Sequence, residues 1–150
     1  MNEIRSILIA EDNSHDIELT LAALAEYNFA NEIVVVRDGA EALDYLYRGG
    51  RFHSRVPGNP VVVLLDLKMP KVDGLEVLRV IKGDPELRKI PCVMLTSSRE
   101  EQDLARSYHL GVNSYVLKPV GFLAFAEAVK TLGVYWAVHN QLPREQGVIE

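Results

Sequence analysis

A chain of 150 residues, 48% of them apolar and 25% charged, has the length of one domain and the make-up of an ordinary globular core with a wet surface. Its net charge of −5, with no stretch that gathers Lys and Arg into a stripe, gives nucleic acid no evident hold. No apolar run approaches the ~20 residues that span a bilayer, and the single cysteine excludes an internal disulfide.

The N-terminus moves straight into a strand, which leaves no room for a signal peptide and makes the cytoplasm the expected compartment. Ser6-Ile7-Leu8-Ile9-Ala10 reads as a short buried strand ending in Glu11-Asp12. Asn13 or Ser14 caps the helix that follows, whose apolar positions Ile17, Leu21 and Leu24 keep helical spacing. Ile33 to Val36 is the second strand. Asp38-Gly39 turns the chain into a helix over Ala40 to Tyr47, closed by Gly49-Gly50. The polar stretch from Arg51 to Pro60, with two prolines and a glycine, reads as an exposed surface loop of unusual length.

Val61 to Leu65 are five consecutive apolar residues, the pattern of a strand buried on both faces, as in the centre of a parallel sheet. The run stops at Asp66. A helix follows over roughly Gly74 to Lys82, broken by Asp84-Pro85. The fourth strand is Cys92 to Leu95, where Cys92 reads as a buried, inert thiol. It runs out into Thr96, and Ser98 caps a helix that opens on Glu100 and Glu101 and ends at Gly111. Ser114 to Leu117 is the fifth strand, ended by Lys118-Pro119. A last helix from about Gly121 to His139 is apolar over most of its circumference, so residues 1–140 make one domain and 141–150 a frayed tail.

Five βα units imply an α/β fold, a doubly wound, flavodoxin-like parallel sheet of five strands. Right-handed crossovers leave 2-1-3-4-5 as the expected strand order. Ligands of such sheets bind beyond the carboxyl ends of the strands, at the point where the order reverses. Strands one and three are neighbours there, so Glu11, Asp12 and Asp66 crowd one crevice, with Thr96 and Lys118 at the next strand ends. Two carboxylates ~5 Å apart repel by roughly 3 kcal/mol at an effective dielectric of 20, which calls for a cation. Hard oxygen ligands with room for water suit Mg²⁺ better than zinc. A carboxylate beside such a cation can attack phosphorus and form an acyl phosphate. Lys118 would steady the phosphoryl charge, and the Thr96 hydroxyl would hydrogen-bond the new group. Taken singly, Asp66 and the Glu11-Asp12 pair also read as helix caps, Tyr115 as an amphipathic sheet residue and Lys118-Pro119 as an ordinary strand exit.

Together and in this order, five features resemble the receiver domain of two-component response regulators, over roughly Ile4 to Val138. They are Glu11-Asp12, Asp66-Leu67-Lys68-Met69-Pro70 with Asp73-Gly74, Thr96 after an apolar strand, and Tyr115-Val116-Leu117-Lys118-Pro119. The resemblance implies Asp66 as phosphoacceptor and metal ligand, Asp12 as a second ligand, Glu11 acting through water, and the Lys68 backbone carbonyl as a further ligand. It implies that Lys118 contacts the phosphoryl group and that Thr96 and Tyr115 form the switch. A sensor histidine kinase is the implied partner. The chain ends before an output domain could begin. The Arg51–Pro60 loop, the long last helix and Tyr135-Trp136-Ala137-Val138-His139-Asn140 resemble the stand-alone regulators paired with bacterial phytochrome kinases. Apolar residues on several faces of the last helix point to a homodimer or partner surface, the alternative being a helix partly covered by the tail.

Two other classes compete. A haloacid-dehalogenase-type phosphatase also forms an aspartyl phosphate at a strand end, but needs a carboxylate two residues on, where this chain has Lys68. A phosphate-independent interaction module would lack one of the acids or the lysine, and all are present.

Overall fold

The computed structural model describes residues 6–25, 32–97 and 114–118 together with positions 123 and 127; the side chains of Thr96, Ser114, Tyr115 and Leu117 lie outside that description. The elements are β1 (Ile7–Ala10), α1 (Ser14–Ala25), β2 (Ile33–Val36), α2 (Gly39–Tyr47), β3 (Val62–Asp66), α3 (Gly74–Gly83), β4 (Cys92–Thr96) and β5 (Ser114–Leu117). The strands form one parallel sheet in the order β2-β1-β3-β4-β5, as expected from the βα alternation. The helix expected after Ser98, most of the last helix and the tail lie outside the described residues. Of the last helix, Leu123 and Glu127 are helical and exposed. Among the described residues, no helix is long and apolar enough to cross a membrane.

The sheet is dry on both faces because its three central strands carry apolar side chains at successive positions. Every residue of β1 and β3 is buried. Leu8, Ala10, Val63, Leu65, Cys92 and Met94 meet Ala42, Tyr45 and Leu46 of α2 and Val77, Leu78 and Ile81 of α3 in one core cluster. Ile7, Ile9, Val62, Leu64, Val93 and Leu95 alternate with these and face the other way, equally buried. β2 and β3 lie on opposite sides of β1, so right-handed crossovers put α1 on the face opposite α2. There α1 buries Ile17, Thr20 and Leu24. Leu21, expected in that stripe, is only half-buried, and Thr20 takes its place.

Caps set where the helices begin. The Asp38 carboxylate accepts from the Glu41 N–H at 2.7 Å to start α2, and Asp73 does the same for the Glu76 N–H at 2.9 Å to start α3. The end of α2 corrects the sequence reading. The left-handed cap is Arg48 (φ 58°) and not a glycine, while Gly50 (φ 51°) opens a 3₁₀ turn over Gly50–Phe52. The loop to Pro60 is likewise more than an exposed connection. Half-buried Arg55 donates to the carbonyls of Tyr45 (2.7 Å), Val56 (2.8 Å) and Gly58 (2.9 Å) and stacks 4.1 Å above the Tyr45 ring. That pins the loop to the end of α2.

Candidate functional site

Register builds the site. Ala10 pairs with Leu65, so the next residues, Glu11 and Asp66, leave β1 and β3 at the same level and on the same sheet face. Asp66 pairs with Leu95 of β4, and Thr96 pairs with Leu117, which puts Lys118 one step beyond the sheet edge. The expected strand-end residues therefore meet at one end of the sheet, beside the β1–β3 boundary. Asp12 follows on the exposed side of Glu11.

The carboxylates of Glu11, Asp12 and Asp66 each offer an oxygen, and these oxygens lie within 4.8 Å of one another. Glu11 is fully buried and Asp66 is 4% exposed. The Lys118 ammonium lies 3.0 Å from Asp66 Oδ1 and 3.3 and 3.4 Å from the two Glu11 oxygens. Its third carboxylate partner is one that the sequence reading missed. Asp16 Oδ2, in the first turn of α1, stands 3.0 Å from Lys118 Nζ. An acidic residue in a first helical turn ordinarily reads as a complement to the helix dipole, so nothing in the sequence marked it.

Burial sets the electrostatics. Loss of water, and then the Asp66 charge beside it, push the Glu11 carboxyl up to about 7, against the pull of Lys118. Burial raises Asp66 as well, opposed by its hydrogen bond and ion pair with Lys118. For Lys118, burial works to lower the ammonium, but the hydrogen bonds it donates to Asp16 and Asp66 and the charges of Asp66 and Glu11 outweigh it and hold the group above its ordinary value.

Two backbone features hold Asp66 in place. The Leu67 N–H donates to the Leu95 carbonyl at 3.2 Å, and the Gly74 N–H returns to the Leu67 carbonyl at 2.9 Å. A Cβ at Gly74 would overlap the Asp66 carbonyl oxygen, so the start of α3 needs glycine to approach this strand end. Between them, Lys71 takes φ 67° while the Val72 N–H bonds the Pro70 carbonyl, a tight turn at a strained position. Lys71 also pairs with Asp38 at 3.5 Å. On the other rim, Arg37 donates to the Asp12 carbonyl at 3.0 Å and to Ser14 Oγ at 2.8 Å, fixing the loop that presents Asp12. Lys68 is exposed two residues past Asp66. Thr96 ends β4 and Tyr115 lies within β5; their side chains are outside the described residues.

Three carboxylates, Glu11, Asp16 and Asp66, surround one ammonium, and Asp12 adds a further carboxylate to the Glu11–Asp66 oxygen cluster. The surplus of hard, anionic oxygens around a half-open crevice is a donor set that fits a divalent cation and lacks the nitrogen and sulfur ligands that zinc prefers. A parallel α/β sheet with an acid cluster and a lysine at its carboxyl edge is the architecture of a phosphoacceptor signalling domain. Residues 7–130 match the response regulator receiver domain, and the chain belongs to that family.

Receiver domains take a phosphoryl group on an aspartate, bind a divalent metal and work with histidine kinases. The chain is 43% identical over 138 residues to the probable methanogenesis regulatory protein FilR2 of Methanothrix harundinacea, covering 91% of this chain and 86% of that protein. It is 35% identical over 142 residues, 95% of either chain, to the response regulator Rcp1 of a Synechocystis species, which has been solved in a Mn²⁺-bound form. The solved bacteriophytochrome response regulator AtBRR superposes with a TM-score of 0.88 at 62% identity, covering 93% of this chain and all of that one.

Proposed function

We propose that Asp66 is the phosphoacceptor of this receiver domain and that a phytochrome-type sensor histidine kinase supplies the phosphoryl group. In this reading an Asp66 carboxylate oxygen attacks the phosphorus of a phosphohistidine. The P–O bond forms as the P–N bond breaks, and the electron pair leaves with the imidazole, which takes up a proton. Lys118 stays beside the attacked group and balances the charge gathering on the phosphoryl oxygens. Asp12 and Asp66, Glu11 through water and the Lys68 carbonyl would hold Mg²⁺, which when bound neutralises part of that charge. The Thr96 hydroxyl then turns to the phosphoryl group and Tyr115 turns inward to report it. Transfer and self-catalysed loss of the phosphoryl group are the whole of the chemistry, with no turnover of other substrates.

The single observation that carries this is the Lys118 ammonium 3.0 Å from a nearly buried Asp66, inside a three-carboxylate cluster. The phytochrome link rests on likeness to the bacteriophytochrome response regulator. The same reading takes residues 1–140 as one domain with 141–150 as a tail, acting in the cytoplasm through protein contacts and not on nucleic acid or membrane. It includes a homodimer formed through the last helix and neighbouring elements. Purified phytochrome-type kinase autophosphorylated with labelled ATP should pass the label to the wild-type chain in the presence of Mg²⁺ and leave Asp66→Ala unlabelled. Equal labelling of the two proteins would contradict the assignment of Asp66. Labelling only by kinases without a chromophore domain would contradict the phytochrome link.

A further inference from the structure

Lys118 has three N–H donors and three carboxylates to receive them, and the partners are unequal. Asp66 and Asp16 each stand 3.0 Å from the ammonium, whereas both Glu11 oxygens lie beyond 3.2 Å. The lysine side chain is 13% exposed, so water supplies little of its solvation and carboxylates must do so. Asp16 is also the partner with a fixed seat. Its own N–H is taken by the Asn13 side-chain oxygen at 2.9 Å, and Ile17 beside it is buried under the sheet.

The other two partners have competing duties. Glu11 and Asp66 belong, with Asp12, to the group of oxygens within 4.8 Å of one another that fits a divalent cation, and Asp16 does not belong to that group. A cation there, and later a phosphoryl group on Asp66, draws those carboxylates away from the ammonium. A lysine is a point charge on a flexible stem with several rotatable bonds, unlike the rigid fork of arginine. With two of three anchors engaged elsewhere, Asp16 alone keeps Nζ at the mouth of β3.

We infer that Asp16 is a positioning residue for phosphoryl transfer, which holds the Lys118 ammonium at the phosphoryl site while the cation and the phosphoryl group occupy Glu11 and Asp66. Asp16 touches neither phosphorus nor metal in this role and acts through Lys118. The inference rests on Asp66 being the phosphoacceptor. Transferred charge does not sever the contact, because one N–H can stay on Asp16 while the others turn to the phosphoryl oxygens.

The test is the initial rate of phosphorylation by acetyl phosphate at saturating Mg²⁺, with the full chain. Asp16→Asn keeps the shape and removes the charge, and loss of one charge-assisted hydrogen bond should slow the reaction about tenfold. Asp16→Glu should recover most of that rate. In a Lys118→Ala background the same Asp16→Asn change should alter the rate by less than about twofold, since the residue through which it acts is gone. A D16N rate equal to or faster than wild type overturns the inference. So does an equal fractional loss with and without Lys118, or a D16E variant as slow as D16N, each of which marks a purely structural effect. Wild type failing to label, or Asp66→Ala labelling as well as wild type, would instead remove the phosphoacceptor assignment beneath it.

Discussion

Each carboxylate at the site carries a different cost, and Glu11 carries the most visible one. Its carboxyl ionises near 4.5 in the unfolded chain and near 7 in the folded one. Between those values the folded protein holds a proton that the unfolded chain has released. The stabilisation is therefore complete below about pH 4.5 and lost as the pH rises through about 7. In EDTA, the urea midpoint of the wild type should fall between about pH 5.5 and pH 7.5 relative to Glu11→Gln, whose amide cannot ionise. A wild-type midpoint that rises against Glu11→Gln over that interval would contradict the burial argument. Glu11, Asp12, Asp66 and Lys118 were legible because each follows an apolar strand, and a strand end in a parallel sheet has a known destination. Asp16 was not, because its importance comes from a lysine 102 residues away that only the fold brings to it.

Periodicity and punctuation placed the elements well. β2 and β5 coincide with the strands expected over Ile33 to Val36 and Ser114 to Leu117, and Asp73 caps α3 where the helical pattern begins. Connections were harder, because a loop's contacts depend on what it lies against. The stretch after α2 reads as polar and exposed, yet Arg55 folds back on the last turn of that helix. Propensity also pointed to a glycine at the helix end, where Arg48 adopts the left-handed conformation and bonds the Arg55 carbonyl at 3.3 Å. Arg55→Ala would leave the Tyr45, Val56 and Gly58 carbonyls short of a donor and should cost about 1–3 kcal/mol in a urea titration. This loop meets Ser6 and Tyr45 at the opening of β1, away from Glu11 at its other end. The phosphorylation rate of Arg55→Ala should therefore match wild type, and a slowed rate would show that the loop reaches the site.

At the scale of the whole molecule, the strand order followed from handedness and alternation, but register did not. Nothing in the sequence states that Ala10 lies opposite Leu65 and not one residue away, and a slip of one would send Glu11 and Asp66 to opposite faces of the sheet. Packing of both apolar faces decides it, with Leu8, Val63 and Cys92 on one side and Ile7, Val62 and Val93 on the other. The proposed dimer is a property of the same scale. Light scattering should give twice the chain mass at micromolar concentration, and a monomer with and without a phosphate analogue would contradict it.

The central claim is more local and has a direct chemical readout. Borohydride reduces an aspartyl phosphate to homoserine, so the chain can be incubated with acetyl phosphate and Mg²⁺, reduced, digested and mapped by peptide mass. The account predicts homoserine at position 66 and at no other acidic residue. Homoserine at Asp12 or Asp16, the corresponding five-carbon alcohol (5-hydroxynorvaline) at Glu11, or a phosphoryl group found on histidine, would contradict it.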